Sequence, residues 1–262
     1  MAEIISVVNQ KGGVGKTTTA VNLAAYLSLL GKFVLLVDID SQANATSGLG
    51  INPAGVAAGI YEALLGNQEL RDIILETGYE GLKLAPANIN LAGANIELVG
   101  VENREFRLQQ ALMGVCHDYD YIIIDSPPSL GLLTVNGLVA SDKVLIPIQA
   151  EYYALEGLSQ LLSTIDLVRQ NLKPDLNVLG ALITMYDKRN KLSDAVMEEL
   201  YKYFPNKIFR SVVPRNVKLA EAPSHGRPIS HYDPFSRGGR AYERLARELI
   251  DYNYNNYSNY YG

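Results

Sequence analysis

The stretch Asn9-Gln10-Lys11-Gly12-Gly13-Val14-Gly15-Lys16-Thr17-Thr18 gathers glycines, two lysines and two hydroxyls, the residue types that hold a phosphate. Glycines let consecutive backbone N–H groups curl around an anion without Cβ clashes. Lys16 is spaced to reach β- and γ-phosphates, and the Thr17 hydroxyl to ligate Mg²⁺. Two aspartates complete the set. Asp40 lies in Asp38-Ile39-Asp40-Ser41-Gln42, and Asp125 ends Tyr121-Ile122-Ile123-Ile124-Asp125. A carboxylate just past a strand's C-terminal end sits beside a phosphate loop in an open parallel sheet. Asp40 is therefore a candidate to orient water or to bind Mg²⁺ through water, and Asp125 to hold the Mg²⁺ hydration shell. The plain alternatives are a turn or helix-cap aspartate at Asp40 and a helix cap at Asp125. The chemistry in view is hydrolysis of a nucleoside triphosphate.

The elements around these residues have the required order. Ile4–Val8 is an apolar, β-branched run that predicts a buried strand, and Ala20, Leu23, Ala24, Leu27 and Leu30 recur at helical spacing up to Gly31. Strand, glycine-rich turn and helix are the context a phosphate loop needs. Further strands are predicted at Phe33–Asp38, Leu82–Ala85, Tyr121–Asp125, Lys143–Ile148 and Val178–Met185. Helices are predicted at Ile60–Leu65, Leu70–Leu75, Leu91–Leu98, Arg104–Val115, up to Asn171 after Gly157, Leu192–Phe204 and Arg240–Asp251. Ala43–Gly59, rich in Asn, Gly and Ala, reads as a mobile loop, and Ser126–Gly131 as a turn stiffened by two prolines. Alternating strands and helices predict a single-domain α/β fold over residues 1–251, a doubly wound, mostly parallel sheet with helices on both faces. The Tyr/Asn-rich stretch 252–262 reads as a disordered tail.

Composition narrows the function. At 262 residues and 48% hydrophobic content, the chain has ample core for one large domain. A net charge of −5 argues against a protein that coats nucleic acid with its whole surface, though not against a local basic patch. The single cysteine, Cys116, precludes an intramolecular disulfide and a paired-cysteine metal site, and reads as a small buried hydrophobe. No apolar run approaches the roughly 20 residues of a membrane span. The chain enters its first strand at once, so no leader is expected, and a cytoplasmic location is.

Lys11–Thr18 (KGGVGKTT) resembles the deviant Walker A motif of the ParA/MinD group of P-loop ATPases, with Gln10 where the general motif has glycine and Lys11 added at the start of the loop. DIDSQAN, IIIDSPPSLG, EYYALEGL and VPRN…EAPSHG extend the resemblance from Ile4 to about Leu249, most closely to the short ParA/Soj type of partition ATPase. The family pattern D-x-D-P-Q has proline where this chain has Ser41, which leaves Asp40 in register. The resemblance implies an ATPase using ATP and Mg²⁺, with catalytic Lys11, Lys16 and Asp40. It places ATP on Gly12, Gly13, Val14, Gly15, Lys16, Thr17 and Thr18, with Lys11 reaching across a homodimer to the partner subunit's nucleotide. It also implies that Pro214 and Asn216 face the adenine, and that the ATP-bound homodimer binds DNA nonspecifically until hydrolysis, stimulated by a ParB-type centromere-binding protein, releases it. That would make the protein nucleoid-associated. With the loop starting at Lys11, the helix-turn-helix domain of longer relatives is not expected here.

DNA binding needs local cations. Lys188, Arg189 and Lys191 form one cluster and Arg210, Arg215 and Lys218 another, with Arg189 and Lys218 the leading candidates; a dimer would present each twice. The alternatives are a ParA-like ATPase that positions a non-DNA cargo, and a MinD-like division regulator. The latter needs a basic, membrane-seeking C-terminal helix, and the stretch after Asp251 has no Lys or Arg. A nitrogenase-type iron protein needs two cysteines per subunit, against one here.

Overall fold

The computed structural model describes residues 1–151, 156–187, 189 and 198–261, with 156 and 254–261 as backbone. In chain order, β1 (Glu3–Val7) leads to α1 (Lys16–Leu29), β2 (Val34–Asp38) and α2 (Asn44–Gly48). Short helices α3 (Ile60–Leu65) and α4 (Leu70–Ile73) precede β3 (Leu75–Glu76), β4 (Leu82–Ala85), α5 (Ala94–Glu97) and α6 (Arg107–Met113). Then come β5 (Tyr121–Asp125), α7 (Leu132–Ala140), β6 (Lys143–Gln149), α8 (Glu156–Asn171), β7 (Asn177–Tyr186) and α9 (residues 198–203). The chain closes with β8 (Ile208–Pro214), α10 (Val217–Glu221), α11 (Ile229–Tyr232) and α12 (Arg237–Tyr261).

The strands form one sheet in the order β3-β4-β2-β5-β1-β6-β7-β8, parallel except for β3. Buried strands of a parallel sheet need apolar side chains on both faces, which is why β2 and β5 are continuous apolar runs buried throughout. On one face Ala20, Leu23 and Leu27 of α1 pack with Tyr242, Leu245 and Leu249 of α12. On the other, α3, α6 and α7 cover β2 and β5, and α8 covers β6 and β7. The doubly wound α/β fold is thus present. Cys116 is a buried free thiol. Among the described residues no helix is long and apolar enough to cross a membrane.

Several boundaries differ from the sequence reading, each for a physical reason. Ile208–Pro214 forms β8, which the sequence pattern does not predict because Arg210 and Ser211 interrupt its apolar run. An edge strand tolerates them: the Glu248 carboxylate accepts the backbone N–H groups of both, at 2.7 and 2.9 Å. The expected mobile loop after Ala43 contains α2, pinned by Thr46. Leu75 leaves the helix expected there and pairs as β3. The stretch 252–261, expected to be disordered, continues α12. No glycine or proline interrupts it before Gly262, and extending an established helix is far easier than starting one. Asn253 also ties it down, with hydrogen bonds to Lys143, Glu3 and the Tyr121 hydroxyl. Tyr152–Leu155 of EYYALEGL, and residues 192–197 of the helix expected over Leu192–Phe204, lie outside the described residues.

Candidate active site

β2, β5 and β1 lie side by side, and Asp38, Asp125 and Val7 occupy one level of the register. The phosphate loop, the Asp38–Asp40 turn and the Asp125 turn therefore leave the sheet next to one another. Gly13 and Gly15 have φ of 74° and 89°, the left-handed region where an L side chain costs about 1–2 kcal/mol. No atom lies within 4 Å of where a Cβ on Gly12 or Gly13 would stand. Backbone conformation and open space in front of the loop demand glycine here; crowding does not. α1 starts at Lys16 with no side-chain cap, so its free N–H groups and the positive end of its dipole are available to an anion. They border a cavity of about 410 Å³, large enough for a small organic ligand.

Lys16 is 7% exposed and donates to the Lys11 carbonyl at 3.1 Å. Burial lowers its pKa, and the charges of Asp125 and Asp40 oppose that shift. Asp125 is fully buried, and among the described residues neither carboxylate oxygen has a hydrogen-bond partner of ordinary geometry. Burial, then the neighbouring Asp38, holds its pKa well above the usual carboxylate range, with partial relief from the nearby Thr17 hydroxyl. An orphaned carboxylate beside a hydroxyl fits a divalent cation bound through water. Asp40 borders the cavity, and its Oδ1 accepts the Gln42 N–H at 3.0 Å. Among the described residues no group of three His, Cys, Asp or Glu side chains could hold a metal alone. That suits Mg²⁺, which is usually shared between a protein oxygen or two, water and substrate phosphates.

Asp38 is a further residue of this site that the sequence motifs do not mark, its one signal being its place at the end of β2, two residues before Asp40. It accepts the Thr46 N–H and hydroxyl, both at 2.8 Å, and the Asp40 N–H at 3.1 Å. It thereby fixes both the Asp40 turn and α2. Burial pushes its pKa from 3.8 up to about 6. A carboxyl whose folded-state pKa is raised stabilises the fold fully below its unfolded pKa, and that contribution is lost as pH rises through the folded value. In nucleotide-free protein, the Tm difference between Asp38→Asn and parent should therefore move in the variant's favour from about pH 4 to about pH 6. A difference that stays constant across those melting curves refutes the burial of a titrating Asp38.

Lys11 faces elsewhere. Its N–H donates to Asn9 Oδ1 at 2.9 Å, and its ammonium stands 3.8 Å from Glu151, which also meets Arg215 at 3.5 Å. The Val14 side chain is fully buried, and its carbonyl accepts the Thr184 hydroxyl at 2.8 Å, so Val14 can offer only backbone. Neither Pro214 nor Asn216 borders the cavity. Pro214 ends β8 and faces a separate groove, and the Asn216 side chain caps α10 by accepting the Lys218 and Leu219 N–H groups. The wall away from the phosphate loop is built instead by Met185, Ala222, Pro223 and Arg227.

That separate groove, about 1160 Å³, brings together Arg189 from beyond the end of β7, Arg210 of β8, Arg215 just after β8, and Arg237, Arg240 and Arg244 of α12. Arg189 chelates Asp187, with contacts of 3.0 and 2.7 Å, which holds the Asp187 carboxyl down at about 2. Among the described residues Arg237, Arg240 and Arg244 carry no salt bridge. Lys218 lies outside this lining; it pairs with Glu221 at 2.9 Å and sits over the Tyr232 ring. Lys188 and Lys191 fall outside the described residues.

A parallel sheet, a glycine loop opening a helix, and acids on the two neighbouring strands define a P-loop nucleoside triphosphatase. Over 249 residues the chain is 58% identical to the sporulation initiation inhibitor protein Soj of Bacillus subtilis, covering 95% of this chain and 98% of that protein. It belongs to the ParA/Soj family of chromosome-partitioning ATPases. The chromosome-partitioning ATPase Soj of Treponema pallidum is 49% identical, with 95% and 98% covered. The family model described as "AAA domain" matches residues 2–178. A solved structure named cobyrinic acid a,c-diamide synthase, from Mycobacterium smegmatis with bound ATP analogue and magnesium, superposes with a TM-score of 0.84. It is 39% identical, with 95% of each chain covered.

Proposed function

We propose that this protein binds ATP with Mg²⁺ in the loop cavity, closes into a homodimer around it, and in that state holds DNA without sequence preference until hydrolysis releases it. The observation that carries the reading is that Lys16 and Asp40 border one cavity while the buried Asp125 lies close behind Lys16. The loop N–H groups and Lys16 would hold the phosphates, with Thr17 and Asp125 holding Mg²⁺. Bound Mg²⁺ supplies neutralisation of phosphate charge. Asp40 is placed to orient a water and accept its proton. Lys11, being turned from its own cavity, is available to a second subunit's nucleotide. The ParB-type partner, the cytoplasmic and nucleoid location, and the assignments of Pro214 and Asn216 to adenine follow from family resemblance. For Pro214 and Asn216 a movement on binding would be required.

The arginine groove favours a polyanion as cargo, and Arg189, a DNA-binding candidate from the sequence, is one of its lining residues. Lys218 keeps a DNA role only if it leaves Glu221. With ATP present, Arg240→Ala and Arg189→Ala should each weaken binding about equally for unrelated DNA sequences, while ATP affinity stays intact. Each lost phosphate contact lowers the slope of log affinity against log salt by about 0.9. A dimer loses two, so the slope should fall by nearly two. If ATP-loaded parent protein has no salt-sensitive DNA affinity, the partition reading fails.

A further inference from the structure

The segment Ala222–Ile229 supplies Ala222, Pro223, Arg227 and Pro228 to the cavity wall that faces the phosphate loop. It is closed on itself: the Gly226 N–H donates to the Pro223 carbonyl at 3.0 Å and the Arg227 N–H to the Ala222 carbonyl at 3.2 Å. A turn closed in this way shifts as a unit, so its attachments to the body of the protein decide where the wall stands. One attachment is a close approach of backbones. Gly226 has φ +60°, and a Cβ there would lie 2.6 Å from Gly50 Cα, so the turn rests on the chain just after α2. A second is the Tyr79 hydroxyl, which reaches the Gly226 carbonyl at a long 3.4 Å. The third is short and buried: the Ile229 N–H donates to Asn22 Oδ1 at 2.7 Å.

Asn22 is 5% exposed and lies on α1, one turn beyond Thr18. Its Nδ2 donates to the Thr18 carbonyl, also at 2.7 Å. The two partners fix the orientation of the amide, since a flipped amide would set donor against donor and acceptor against acceptor. One side chain thus ties the helix that opens the phosphate loop to the wall opposite it, and Asn22 itself borders the cavity. We infer that Asn22 is a positioning residue that sets the spacing between phosphate cradle and wall, and so governs how the cavity grips the base and sugar of a nucleotide and not its phosphates. The inference rests on the nucleotide reading of the site and adds a division of labour within it. Phosphates need the loop and Lys16; the nucleoside needs the wall where Asn22 holds it.

The test compares a ligand that has a nucleoside with one that lacks it. Asn22→Ala leaves the buried Ile229 N–H unpaired, a loss that ordinarily weakens a dependent interaction about tenfold or more. By calorimetry with Mg²⁺ present, ADP and ATP should bind Asn22→Ala at least tenfold more weakly, and inorganic tripolyphosphate within about twofold of parent. In steady-state hydrolysis KM should rise while kcat at saturating ATP stays within about threefold. Asn22→Gln keeps the amide on a longer arm, preserves the fold if Asn22→Ala does not, and should give the same split in milder form. Equal weakening of ADP and tripolyphosphate overturns the inference, because it marks general damage to α1. Unchanged ADP affinity overturns it as well. Failure of the parent protein to bind ATP or ADP would instead strike the nucleotide reading itself.

Discussion

Lys16→Ala should abolish measurable ATP binding. The Lys16 ammonium is nearly buried, is held on the Lys11 carbonyl, and feels the charges of Asp125 and Asp40. Removing it deletes a charge-assisted contact to the phosphates in a partly desolvated site, where such contacts far exceed the 0–1 kcal/mol of a surface pair. It also leaves Asp40 at the cavity edge without its neighbouring ammonium. A loss of several kcal/mol corresponds to two or three orders of magnitude in Kd. Calorimetric titration with ATP reads it directly, and a melting curve without nucleotide checks that the variant is folded. Nucleotide affinity within threefold of parent removes the phosphate-loop assignment. Lys11→Ala should behave differently, binding ATP as a monomer yet failing to form ATP-dependent dimers by light scattering. Its ammonium touches Glu151 and not the cavity of its own chain.

Asp40→Ala should bind ATP well and hydrolyse it slowly. Lys16, the loop N–H groups and the free first turn of α1 are untouched by the change, so the cradle persists. What is lost is a carboxylate at the cavity edge able to orient water and take its proton, a role ordinarily worth 10²- to 10⁴-fold in rate. Asp38 continues to hold α2 through Thr46, which limits collateral movement. Single-turnover hydrolysis should slow by at least a hundredfold, and the variant should accumulate on DNA when ATP is present. Turnover at the parent rate would return Asp40 to the status of a turn residue.

The chemistry-bearing residues were legible because the signal is local. A β-branched run, glycines at Gly13 and Gly15, and a helix opening at Lys16 are properties of neighbouring residues, and local propensity is what a sequence expresses most directly. The same holds for β5, which ends on Asp125, and for β2, which ends on Asp38. The short, interrupted β8 was not legible. Its polar residues are tolerated because Glu248, far along the chain, satisfies the strand's outer N–H groups. The composition of the stretch after Asp251 suggests disorder, whereas helix propagation and the Asn253 contacts favour continuing α12.

The sequence by itself determined the glycine loop between β1 and α1, the alternation of strand and helix, and the positions of Asp40 and Asp125 at strand ends. Only the tertiary structure decided that β5 inserts between β1 and β2, which places Asp125 against Asp38 and strips it of partners. It also decided that Met185, Pro223 and Arg227, and not Pro214 and Asn216, wall the cavity, and that arginines in and around β8 share one groove with Arg189 and the arginines of α12. Strand order and the meeting of distant segments depend on which surfaces bury one another across the whole chain. A residue's immediate neighbours do not encode that, so the cradle could be read in advance and its far wall could not.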